Sequence, residues 1–370
     1  MTLLDGIGAR LITTDRLTVN ILERTGDDPA TAPDQTVVLI HGNVSSSLFW
    51  QEIMQDLPHD LRVIAIDLRG FGGTESLPID ATRGVRDFSD DIHATLVALE
   101  IPTAHLVGWS MGGGVVMQYA LDHPVLSLTL QAPVSPYGFG GTRRDGSRLT
   151  DDDAGCGGGG ANPDFVQRLT DRDTTDEAQT SPRSVFRSGY VAAGYTSDNE
   201  DLWVESMNTT STAEGNYPGD GVPSENWPGF AAGTTGVLNT MVPRYFDTSG
   251  IVALADKPPV LWVHGTADAI VSDASFFDLN QLGALGVIPG WPGDEVAPAQ
   301  PMVSQTRDVL DAYRAAGGEV TELTLEGVGH SPHLERPAEF RRALLAVIGY
   351  IGRPADPAPP TEAIILSSSD

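Results

Sequence analysis

The heptapeptide Gly108-Trp109-Ser110-Met111-Gly112-Gly113-Gly114 decides the fold. It follows directly on the apolar run His105-Leu106-Val107 and opens a helical stretch that reaches His123 and stops at Pro124. A strand that turns into a helix through G-x-S-x-G holds the central serine at the apex of a strained turn. The positions two before and two after it must then be glycine, because a side chain there would strike neighbouring backbone. The helix start behind Ser110 offers unpaired backbone N–H groups and the positive end of a dipole. The stretch therefore marks Ser110 as a nucleophile and the Met111 amide as one donor to an oxyanion.

Outward from this elbow, Thr36–Ile40 and Arg62–Asp67 are continuous apolar runs, as in strands of a sheet buried on both faces. Between Arg62–Asp67 and the elbow, Val85–Leu99 carries Phe88, Ile92, Leu96 and Leu99 at helical spacing. Leu126–Leu130, Pro259–His264 and Val320–Leu325 add three more short strands. This alternation predicts an α/β fold, with a mostly parallel central sheet and helices on both faces. The stretch from Arg10 to Glu23 alternates apolar with polar residues instead, as half-buried antiparallel strands do. A polar, Pro-containing turn at 25–35 follows it.

The alternation stops near Val134 and resumes near Pro258. Helical patches at Asn162–Leu169, Arg183–Tyr195 and Gly236–Phe246 predict a mostly helical insertion over 134–257, laid on a core made of 1–133 and 258–352. A second long excursion runs from Ile270 to Val303. Residues 353–370, Pro-rich and then weakly apolar, read as a mobile tail.

A serine hydroxyl needs a base to take its proton and an acid to orient that base. Asp268 stands just past the strand Val260–His264, and His330 just past the strand ending at Leu325. Ligand sites of open α/β sheets lie outside such carboxyl ends, so both segments converge on Ser110. Asp273 lies further from its strand and His333 follows Pro332, so Asp268 and His330 are preferred to them. His41 and His264 end buried strands beside glycine and read as structural. The second oxyanion donor is expected in the loop His41–Ser47, with the Asn43 backbone N–H best placed.

Together these motifs resemble the α/β-hydrolase superfamily over residues 10–133 and 257–352. Asp67-Leu68-Arg69-Gly70-Phe71-Gly72 looks like a D-x-R-G-x-G segment common in it, and the SMGGG elbow is similar to small bacterial esterases and cofactor-free haloperoxidases. His41-Gly42-Asn43 looks like a haloalkane dehalogenase loop. Those enzymes and the soluble epoxide hydrolases use an aspartate nucleophile, which disfavours both activities for a chain with Ser110. The resemblance implies that 134–257 is a lid or cap domain. Tyr137, Phe139, Trp203 and Trp227 are candidates for its pocket roof, with Leu48, Phe49 and Trp109 below, which suggests a bulky apolar substrate.

The chain has 370 residues, 22 Lys+Arg against 50 Asp+Glu, a net charge of −28 and one cysteine. Lys257 is its only lysine. Such a balance excludes nucleic acid as a partner, opposes anionic membranes, and makes anionic substrates poor candidates. Cys156 alone forms neither an intrachain disulfide nor a metal cluster, and its acidic, glycine-rich setting does not suggest a nucleophile. The glycine run after it has no Lys or Ser/Thr at a phosphate-cradle offset. No stretch is apolar enough for a membrane span or signal peptide, so a cytoplasmic protein is expected. The oligomeric state stays open, a homo-oligomer included.

The expected function is a serine esterase or lactonase that works through an acyl-enzyme and calls for no metal or cofactor. Carbon–carbon bond hydrolysis and cofactor-free perhydrolysis use the same triad and remain alternatives. A ligand receptor on this fold is a rival of another class, against which the complete triad argues.

Overall fold

Strands form wherever the apolar runs occur in the computed structural model, which describes residues 1–26 and 36–350. The tail at 353–370 and most of the turn at 25–35 lie outside the described residues. The strands are β1 (Ile7–Thr13), β2 (Thr18–Arg24), β3 (Thr36–Ile40), β4 (Arg62–Ile66), β5 (His105–Trp109), β6 (Ser127–Gln131), β7 (Gly221–Pro223), β8 (Phe230–Ala232), β9 (Val260–Gly265) and β10 (Val320–Leu325). Eight of them make one sheet in the order β1-β2-β4-β3-β5-β6-β9-β10. Pairing is antiparallel from β1 to β4 and parallel from there on.

Every residue of β3, β4, β5, β6 and β9 is buried, as continuous apolar strands require. The outermost β1 and β10 bury only part of theirs, and β1 does not show the alternation expected from its sequence: Ile7 and Ile12 are buried, while Leu11 is exposed on this edge strand. Helices α1 (Gln51–Asp56), α2 (Arg86–Ala98) and α3 (Met111–Asp122) connect the first strands. Phe88, Ile92 and Leu96 form the buried face of α2, which packs on α3, and α3 packs on β5. Further along, Pro337–Val347 covers β6 and β9.

The strand order reverses at β3: the chain moves out to β4 and then crosses back to β5 on the other side. Such a switch point opens a crevice at the carboxyl ends of the two central strands. The loop after β3 and the elbow after β5 both face it.

The segment between β6 and β9 departs from the mostly helical expectation. It contains short helices at Pro163–Thr170, Pro182–Val185 and Glu200–Met207, a π-helical turn at Phe186–Tyr190, and the β7–β8 hairpin. Long irregular stretches join them, and the patch expected at Gly236–Phe246 shrinks to a 3-10 turn at Leu238–Met241. The reason is local. Gly236 takes φ +90 and Pro243 removes a donor, so apolar spacing alone does not propagate a helix. The glycines after Cys156 allow close approach instead, since a Cβ on Gly158 would stand 2.5 Å from the Gly219 carbonyl oxygen.

An aromatic cluster anchors this insertion to the core. Phe49 meets Trp109 at 4.9 Å between ring centroids and Trp203 at 5.2 Å, and touches Phe186 and Tyr190. Aromatic pairs of this kind add about 0.5–1.5 kcal/mol each beyond area burial. A buried polar network makes a second joint. Gln300 accepts from the Gly140 N–H and donates to Gln305 at 2.6 Å, and Gln305 in turn bonds Ser135 and Thr142. The excursion at 270–303 is thereby fastened to the start of the insertion.

Candidate active site

Ser110 occupies φ +57, ψ −120, a left-handed conformation that side chains rarely adopt. The flanking glycines make the turn possible. A Cβ on Gly108 would lie 2.3 Å from the Gly112 carbonyl oxygen, and one on Gly112 would lie 2.4 Å from that of His41. The Ser110 N–H donates to Gln131 O, and its carbonyl accepts from Gly113 and Val134. Pairing of Ile40 with Gly108 brings Gly42 opposite Ser110 at the sheet's end.

Asp268 and His330, the expected acid and base, meet as the strand ends direct. β9 and β10 pair Gly265 with Leu325, and the loops beyond them close to a 2.8 Å contact between His330 Nδ1 and Asp268 Oδ2. Asp268 Oδ1 accepts from the Ile270 and Val271 N–H groups at 2.8 and 2.9 Å. A buried carboxylate so supplied with donors is fixed in place and can hold the imidazole in one orientation. The Trp109 indole N–H donates to the His330 carbonyl at 2.8 Å, which ties the elbow to the histidine loop.

The competing residues are engaged elsewhere. Asp273 accepts from the Ser304 N–H and hydroxyl. His333 is fully buried against Trp50 and within 2.7 Å of the Gln131 amide, and burial lowers its pKa to about 3. His264 lies against Trp262 and Glu322.

In the loop after β3, the Leu68 N–H donates to His41 Nε2 at 3.0 Å. That ring nitrogen must therefore be bare and Nδ1 must carry the proton, which it donates to the Gly42 carbonyl at 2.7 Å. Burial holds His41 neutral, with its pKa lowered to about 4. The Ser45 hydroxyl donates to the same carbonyl at 2.9 Å. Asp67 of the D-x-R-G-x-G segment accepts from the Ser47 and Gly73 N–H groups and from Asn20, so it braces this loop from behind.

Ser110, His330 and Asn43 line one cavity of about 330 Å3. Among the described residues the Ser110 hydroxyl makes no hydrogen bond, and serine–histidine contacts commonly tighten only around a substrate. Walls come from Val134, Phe139, Phe165, Met241, Ile270 and Phe277, all apolar.

Of the expected pocket residues, Phe139 alone lines this cavity. Leu48, Phe49, Trp109 and Trp203 are fully buried in the anchoring cluster instead. Trp227 bonds Pro289 O and packs on Gly283, and Tyr137 lies over Gly146. Periodicity cannot separate an aromatic that docks two layers from one that faces a void. Tyr190, Tyr217, Cys156 and the segment 276–282 are wall residues that the sequence reading missed. The adjacent Phe276 and Phe277, an aromatic pair soon after Asp268 that is 59% and 44% exposed, were the available signal for the last of these.

Two contacts fasten the insertion to this site. The Tyr190 hydroxyl lies 2.8 Å from Asn43 O and 3.1 Å from Val44 O. Glu335 accepts from the Ala192 N–H at 2.9 Å with one oxygen and from the Gly329 N–H at 2.9 Å with the other. Burial, with the nearby Asp268 charge, raises the Glu335 pKa.

A family model described as the alpha/beta hydrolase family matches residues 37–343. A 2-hydroxymuconate semialdehyde hydrolase from Pseudomonas sp. (strain CF600) is 40% identical over 91 residues, 24% of this chain and 32% of that protein. A monoacylglycerol lipase from Xenopus laevis is 32% identical over 106 residues, 26% of this chain and 30% of its own. The match thus spans about a third of the length of these curated relatives. The solved structure of an esterase from Exiguobacterium antarcticum superposes with a TM-score of 0.55 at 16% identity, covering 92% of this chain and 100% of that one. Among the described residues no helix is long and apolar enough to cross a membrane.

Proposed function

The chain belongs to the α/β-hydrolase family, and we propose that it is a serine hydrolase that cleaves a carboxylic ester or lactone of a bulky apolar substrate. The observation that carries this reading is the buried 2.8 Å His330–Asp268 pair opening on the cavity that holds Ser110.

With Nδ1 engaged by Asp268, His330 Nε2 is the ring nitrogen left to take the Ser110 proton. The freed oxygen attacks the carbonyl carbon and forms a tetrahedral intermediate whose oxyanion is held by the Met111 and Asn43 N–H groups. Collapse breaks the ester C–O bond, and the leaving alkoxide takes the proton back from His330. Water then repeats the sequence on the acyl-enzyme and restores Ser110.

Residues 134–257, with 270–303, serve as the lid that decides the substrate. Apolar walls favour a neutral, hydrophobic acyl or alcohol group. A lactone fits because its ring opening yields one product. The Pseudomonas relative supports carbon–carbon bond hydrolysis as a second reading on the same residues. Ser110→Ala is expected to abolish turnover of a short p-nitrophenyl ester or aryl lactone without unfolding the protein. Activity retained in that variant overturns the reading, and a panel of esters, lactones and vinylogous diketones separates the two substrate classes.

A further inference from the structure

An oxyanion donor must point in one direction before substrate arrives, since turning it during the reaction forfeits its effect. A backbone N–H has no side chain to steer it. Its direction is that of its peptide plane, with the carbonyl on the opposite edge. The Asn43 N–H shares its plane with the Gly42 carbonyl, and the following plane carries the Asn43 carbonyl.

Both carbonyls are held by side chains. Gly42 O accepts from His41 Nδ1–H and from the Ser45 hydroxyl, and Asn43 O accepts from the Tyr190 hydroxyl. The Tyr190 proton is shared with Val44 O at 3.1 Å. Val44 itself sits at φ +45, a conformation that a β-branched residue keeps only where its surroundings enforce it. Ser45 belongs to the loop, while Tyr190 ends the π-helical turn of the insertion, a rare element that is frequent at functional sites.

We propose that Ser45 and Tyr190 are positioning residues that fix the two peptide planes on either side of Asn43, so that the insertion sets the aim of the oxyanion donor. This rests on the hydrolase reading above. The insertion is then part of the catalytic machinery as well as the roof over the substrate.

The test compares Tyr190→Phe and Ser45→Ala with the full-length wild type. Turnover of p-nitrophenyl butyrate is read together with the rate at which a fluorophosphonate labels Ser110, a reaction that uses the same oxyanion donors for any natural substrate. Each variant is expected to lower kcat about 10- to 100-fold, with KM within about twofold. The labelling rate should fall by a similar factor, and the pH midpoint of kcat should stay in place because His330 and Asp268 are untouched. Unchanged kcat in both folded variants, or a raised KM with kcat intact, overturns the inference while leaving the hydrolase reading standing. If Tyr190→Phe does not fold, Ser45→Ala alone decides. A wild type that neither turns over the ester nor labels at Ser110 overturns both.

Discussion

Gly42 and Ser110 touch across the ends of two neighbouring strands: a methyl group on Gly42 would stand 2.9 Å from Ser110 Cβ and 3.2 Å from the Trp109 carbonyl oxygen. The loop and the elbow therefore cannot move independently. Gly42→Ala must push one of them away, and a shift of about 1 Å at reacting groups costs about a hundredfold in rate. The expected outcome is a fall of that order in kcat/KM, in a protein that still melts cooperatively. Kinetics beside a thermal melt check it.

Asp268 and Asp273 lie five residues apart and should behave oppositely on conversion to the amide. Asn at 268 presents an N–H where His330 Nδ1–H must be accepted and so favours the wrong tautomer. A loss of about 10⁴ in kcat is expected. Asp273 bonds only the Ser304 backbone and hydroxyl among its described contacts, so Asp273→Asn should stay within about twofold. Equal effects in the two variants would reassign the acid.

Stability should depend on His41 and His333 as the solution is acidified. Both rings are buried, with pKa values lowered to about 4 and about 3, whereas the unfolded chain titrates near 6.5. Below pH 6.5 the unfolded state binds protons that the folded state refuses. Stability is therefore lost as the pH falls toward 4, by about 3 kcal/mol for each ring at the extreme. The carboxyls of Asp278 and Glu335, raised by burial, act in the opposite sense, so the histidine effect is best isolated by substitution. His333→Gln should show a smaller drop in Tm between pH 7 and 5 than wild type does.

Cys156 lines the cavity but is buried, and burial pushes its thiol well above the ordinary range. Native protein should resist iodoacetamide, and denatured protein should react at once. Cys156→Ala is expected to keep kcat within about twofold, since the mechanism does not use the thiol. Cys156→Phe fills space and should raise KM for long-chain esters about tenfold while sparing acetate esters. Esterase assays over acyl chain length test this.

The core was legible because its signals are local or set by register. The elbow glycines answer to contacts within a few residues, and the strand ends that carry Asp268 and His330 follow from apolar runs of five or six residues. The insertion was not, because its residues answer to partners far along the chain. Trp203 reads like a pocket aromatic until Phe49 is found beside it, 154 positions away by the difference of their numbers. Tyr190 gave no signal at all, since its partners are carbonyls of another loop and carry no side-chain signature. Helical spacing over 236–246 misled for the opposite reason: Gly236 and Pro243 govern the backbone there, and the apolar residues merely accompany it.

The bridge from Ala192 through Glu335 to Gly329 bears on how the proposed hydrolase can be rebuilt. The roof is not an interchangeable module bolted to a finished scaffold, because the stretch 186–192 holds the residue just before His330 as well as the loop after β3. On the proposed reading, a chimaera that takes its whole insertion from a relative would import new walls and unseat both the His330 loop and the loop after β3 at once. The cassette open to exchange is the remainder of the insertion, and a graft that spares 186–192 keeps the chemistry while changing what enters.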